Sequence, residues 1–160
     1  MKQLTITGLL VAALLLVVHS APVQAATAQL SGFQEVPAIA TAGNGIFRAT
    51  FTETGINYTL EYTFLEGGTV SAAHIHIGQV GVNGGVVAFL CGGGNKPACP
   101  PSGAVTATIV ASDILAVPTQ GIAAGELGKV KRAIDAGRAY ANVHTATYSG
   151  GEIRGQIRRP

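Results

Sequence analysis

The stretch Ile56-Asn57-Tyr58-Thr59-Leu60-Glu61-Tyr62-Thr63-Phe64-Leu65 decides the fold class. Ile56, Tyr58, Leu60, Tyr62 and Phe64 alternate with Asn57, Thr59, Glu61 and Thr63, which separates an apolar face from a polar one. A strand turns successive side chains to opposite sides, whereas a helix would place apolar residues three and four apart. The period of two predicts a strand with Ile56, Tyr58, Leu60, Tyr62 and Phe64 on a core.

Working outward, residues 45–52 have the same β-rich character, and Glu53-Thr54-Gly55 is a short link between the two runs, so together they read as a β-hairpin. Residues 71–77, 85–91 and 105–110 are short, rich in β-branched side chains and bounded by glycine or proline clusters. Near the end, residues 138–145 and 152–158 read as strands joined through Tyr148-Ser149-Gly150-Gly151. Many short strands favour a sandwich or a barrel. One segment departs from the pattern: Leu127, Val130 and Ile134 recur at i, i+3 and i+7 within residues 126–136, which predicts one amphipathic helix ended by Gly137.

The chain has 160 residues, 48% apolar and 11% charged, which suits one compact domain after a leader. Lys2, the apolar run of residues 9–18 and the small residues around Val23-Gln24-Ala25 read as a secretory signal peptide over residues 1–25, cleaved near Ala25. The apolar run falls short of the roughly 20 residues that a membrane span requires. Lys2 is one of ten basic residues, so without it nine face eight acidic ones, and nucleic acid is disfavoured as a partner. Arg154, Arg158 and Arg159 form a small basic end that reads as a solvated terminus. Cys91 and Cys99 are separated by seven intervening residues in a glycine-rich segment, too wide for a C-x-x-C motif, and an oxidising compartment would pair them in a disulfide.

The chemistry concentrates in histidine. His74 and His76 in Ala73-His74-Ile75-His76-Ile77 point to one face of a strand about 7 Å apart at Cα, with Ile75 and Ile77 on the other face. His144 shares a strand face with Tyr140 and Asn142, and the one remaining histidine, His19, lies in the leader. If the two strands are neighbours, three imidazoles form a transition-metal site, with copper favoured over zinc. The alternative is that each histidine is satisfied by backbone or carboxylate hydrogen bonds without a metal. Glu35 and Glu152 are candidates to orient a histidine from behind, or else an exposed loop acid and a partner of Arg154 or Arg138 in a cross-strand salt bridge. No nucleophile elbow, catalytic triad, paired glycosidase carboxylates or phosphate-binding loop is present.

Four segments in order, Leu30-Ser31-Gly32-Phe33-Gln34-Glu35-Val36-Pro37, Ala73-His74-Ile75-His76-Ile77-Gly78, Ala139-Tyr140-Ala141-Asn142-Val143-His144-Thr145 and Gly151-Glu152-Ile153-Arg154-Gly155-Gln156-Ile157, resemble the CHRD domain family of chordin and of exported bacterial proteins. The resemblance places a domain at residues 28–158. It implies an all-β, immunoglobulin-like antiparallel β-sandwich and a non-enzymatic binding module, secreted or periplasmic, whose partner is a protein or a small ligand. The positions of His74, His76 and His144 are also similar to the copper site of copper-zinc superoxide dismutases, another β-sandwich. That similarity implies a dismutase-like redox metalloenzyme as the alternative function, although no bridging histidine and no zinc loop accompany it. A metal-free structural envelope protein is the third expectation.

Overall fold

A computed structural model describes residues 25–160, so the expected leader, apart from Ala25, lies outside the described residues. The strands are β1 (Ala25–Ser31), β2 (Asn44–Phe51), β3 (Gly55–Thr63), β4 (Val70–Ile77), β5 (Gly85–Cys91), β6 (Gly103–Val110), β7 (Ala139–Thr145) and β8 (Ile153–Gln156). They form one antiparallel sheet in the order β5-β4-β7-β8-β1-β2-β3-β6, with the helix α1 (Leu127–Asp135) packed beside it. The sheet curls until its edge strands β5 and β6 approach each other, giving a nearly closed barrel or sandwich around one core. The all-β antiparallel architecture with one short helix is the expected one.

Register explains how the alternation in β3 builds that core. Ala28, Phe47, Leu60 and Val105 stand opposite one another across β1, β2, β3 and β6, and all four are buried. Residues directly opposite in an antiparallel pair share a face, so one apolar position per strand becomes a continuous row. Ile56, Tyr58, Leu60 and Tyr62 face inward as expected, and Tyr58 donates its hydroxyl proton across the interior to the Leu90 carbonyl. Phe64 does not: β3 ends at Thr63, Phe64 has φ 56°, and it is 69% exposed rather than part of the core. The positive φ breaks the alternation and turns the ring outward. In α1 the residues on the inner face are Leu127, Val130 and Ile134, and Gly137 follows with φ 65°.

Two further readings change. β1 was not singled out by its composition, yet Ala26, Ala28 and Leu30 are buried on its inner face. Arg154 is not part of a solvated terminus: it sits in β8, 2% exposed, tied to loop carbonyls. Cys91 and Cys99 are joined in a disulfide, as expected. Among the described residues no helix is long and apolar enough to cross a membrane.

Candidate metal centre

The inner faces of β4 and β7 carry Ala73, Ile75, Val143 and Ala141 into the core, which forces the intervening residues outward. The outward rows are His74 opposite Asn142 and Arg154, His76 opposite Tyr140 and Gln156, and Ala72 opposite His144. Chain segments after β1, β4 and β7 roof this outer face, so His76, Tyr140, Asn142 and Arg154 are buried although they point away from the core. Register shifts against β5 fall between Ala73 and His74 and between Ile75 and His76. Bulges of this kind re-aim side chains, and here they bracket the first histidine.

The pairing of β4 with β7 brings the three histidines together. Ring centroids of His74 and His144 are 4.8 Å apart, those of His74 and His76 5.5 Å, and those of His76 and His144 6.0 Å. One nitrogen from each ring lies within 4.8 Å of the others. The hydrogen bonds assign the nitrogens. Nδ1 of His76 is 3.0 Å from the Gly84 carbonyl and Nδ1 of His144 is 2.9 Å from the Ser149 carbonyl. A carbonyl only accepts, so both Nδ1 atoms carry the proton and both Nε2 atoms hold a free lone pair. His74 Nδ1 lies 3.0 Å from His144 Nε2, and the proton between them therefore resides on His74. The Nε2 of His76 is buried with no hydrogen-bond partner among the described residues. An unpartnered buried acceptor is costly and calls for an explanation.

The donor set fits a transition-metal ion. Ligand nitrogens lie about 2.0–2.1 Å from zinc or copper, so two at right angles stand roughly 2.9 Å apart and two in line roughly 4.1 Å. The 3.0 Å pair already matches the first spacing, and the widest limit of 4.8 Å would close by roughly 0.7 Å. Burial holds His74 and His76 well below the usual imidazole range, down to about 4, with the neighbouring imidazoles contributing to both shifts and Arg154 to that of His76. His144 is lowered by burial against the opposing bond to Ser149. All three are thus neutral at neutral pH: His76 and His144 offer lone pairs at Nε2, and His74 offers one at Nδ1 once a metal ion displaces the His144 contact and the His74 proton moves to Nε2.

Behind the histidines stands a stack that sequence reasoning missed. The Tyr140 ring lies 4.7 Å from the His76 ring at an interplanar angle of 7°, and the Arg154 guanidinium sits 3.5 Å from the Tyr140 centroid. Arg154 donates to the Asn83 side chain and to the Gln79 and Val82 carbonyls, while the Tyr140 hydroxyl accepts from Gly84 N. These bonds fix the loop that delivers the Gly84 carbonyl to His76. A tyrosine two residues from a strand asparagine and an arginine inside a β-rich run were the available signals.

Glu35 and Glu152 occupy different places. Glu35 is buried, accepts a hydrogen bond from the Asn142 side chain, and lies under the electrostatic influence of Arg154. It reaches the histidine face only through Asn142. Glu152 does not serve a histidine, nor does it pair with Arg138 or Arg154. Its carboxylate accepts from Thr41 Oγ1, Thr145 Oγ1 and the Glu66 and Gly67 backbone N–H groups at 2.6–3.0 Å, binding three loops together.

The CHRD domain profile matches residues 26–157. The chain belongs to the CHRD domain family. The match covers every strand of the sheet except the first residue of β1, and so includes both histidine strands of this CHRD domain. Comparison with curated proteins and with solved structures returned no match.

Proposed function

We propose that this CHRD domain is an exported, non-enzymatic binding module that holds one transition-metal ion, copper ahead of zinc, on His74 Nδ1, His76 Nε2 and His144 Nε2. The observation that carries the reading is the buried, unpartnered Nε2 of His76 beside the 3.0 Å contact of His74 with His144. Copper stands ahead of zinc because divalent first-row affinity peaks at copper for nitrogen donors. Export through a leader cleaved near Ala25 accords with the Cys91–Cys99 disulfide, which persists in an oxidising compartment.

The test is metal content of the mature protein purified without a histidine tag, after exposure to copper and zinc. One ion per chain is expected, falling to background in His74→Ala and in His144→Ala. Unchanged stoichiometry in both variants would sink the three-histidine site, and no ion bound to the wild type would leave a metal-free structural protein as the better reading. The convergence of a His-x-His strand with Val143-His144 also favours a second reading, a dismutase-like redox enzyme. Copper-loaded protein that decays superoxide no faster than the metal-free protein would exclude it.

A further inference from the structure

We infer that the three-histidine site holds copper as the monovalent ion, Cu(I), in preference to Cu(II) or Zn(II), and that Arg154 is the residue that sets this preference from behind Tyr140. The inference rests on the metal-site reading above and specifies its occupant.

Three features support it. The donor cluster contains three imidazoles and no carboxylate or thiolate, so it supplies no negative charge to offset a cation. A divalent ion would keep its full charge in a partly buried site, where solvation is poorer than in water, and a monovalent ion suffers much less from that loss. The Glu35 carboxyl group, which accepts from Asn142 on this face, is turned toward Asn142 and Arg154 and not toward the imidazoles. Glu152 is occupied by its four donors in the loops.

Arg154 adds a permanent positive charge. It is 2% exposed, and its guanidinium, the Tyr140 ring and the His76 ring are stacked in that order. An ion on His76 would lie roughly 10 Å from the guanidinium, and at an effective dielectric near 20 each added unit of charge on the ion is disfavoured by about tenfold. The second positive charge of Cu(II) carries that factor and Cu(I) does not. Three donors also satisfy an ion of low coordination number, whereas structural zinc takes four ligands.

The experiment measures the dissociation constant of the untagged protein for Cu(I), by anaerobic competition with a chromophoric Cu(I) chelator, and for Cu(II) and Zn(II) by competition with chelators for those ions. Cu(I) should bind at least about 100-fold more tightly than Cu(II), each tenfold excess raising the potential of the bound couple by about 59 mV. Arg154→Gln should narrow the gap by about tenfold, and Arg154→Lys should restore most of it, because both variants lose the fork of hydrogen bonds but only one loses the charge. Equal or tighter binding of Cu(II) would overturn the inference while leaving the metal site standing. Absence of copper binding in either oxidation state would overturn both. The wild-type comparison decides the matter even if the Arg154 variants do not fold.

Discussion

Glu152 and Glu35 are both buried carboxyl groups, and their surroundings drive them in opposite directions. Burial pushes Glu152 up, but its backbone and hydroxyl donors together outweigh burial and hold it below the usual carboxylate range. Removing it leaves two N–H groups and two hydroxyls without their acceptor, so Glu152→Ala should cost about 3–5 kcal/mol in chemical denaturation. Copper bound per folded molecule should stay unchanged, since none of its partners is a histidine. Glu35 has fewer donors, and burial pushes it up to about 7 from 4.5 despite Arg154 and Asn142. A raised carboxyl pKa means that the native state binds the proton more tightly than the unfolded chain. Its contribution is therefore fully present below pH 4.5 and is lost as pH rises through 7. Glu35→Gln removes this loss, and the stability of the variant relative to wild type should improve by about 3 kcal/mol between pH 4.5 and 8. A difference independent of pH would show that Glu35 is solvated.

At the scale of elements, the site depends on what holds β4, β7 and the loop after β4 together. A Cβ at Gly84 would lie 1.6 Å from the Ile77 carbonyl oxygen, so Gly84→Ala must displace the backbone whose carbonyl orients His76. We expect Gly84→Ala to weaken copper binding by 10–100-fold, the usual cost of losing a partner that orients a ligand, and a chelator titration checks it. Unaltered affinity would mean that the carbonyl is dispensable. Much of this arrangement was legible in the sequence. Alternation in residues 56–62 revealed β3, the spacing of Leu127, Val130 and Ile134 revealed α1, and the His74-Ile75-His76 run fixed two imidazoles on one face. The adjacency of β4 and β7 was not legible, because about 70 residues separate His74 from His144 and strand pairing over that distance is set by the whole sheet. The bulges beside His74 and the roof over Arg154 arise from the same tertiary context, which composition does not encode. β1 escaped notice because alanines make up most of its buried face, and alanine alternates weakly against threonine and glutamine.

For the whole molecule, the buried imidazoles make stability depend on pH. His74 and His76 are lowered from 6.5 to about 4, so the unfolded chain binds more protons than the native one between those values. Their contribution is present above pH 6.5 and is lost as pH falls toward 4, while Glu35 works in the opposite sense over much of the same window. With two imidazoles against one carboxyl group, the unfolding free energy of the metal-free protein should fall by about 2 kcal/mol from pH 7 to pH 4.5. Urea denaturation across that range checks it, and a flat profile would contradict the burial of the histidines. Copper should add stability by mass action, about 2.7 kcal/mol at a free concentration 100 times its Kd. The most direct measurement of the central claim is X-ray absorption at the copper edge of the loaded, untagged protein. The account predicts three imidazole nitrogens at about 2.0 Å, reduced to two in His76→Ala. Fewer than three imidazoles in the wild type, or an unchanged spectrum in the variant, would contradict it.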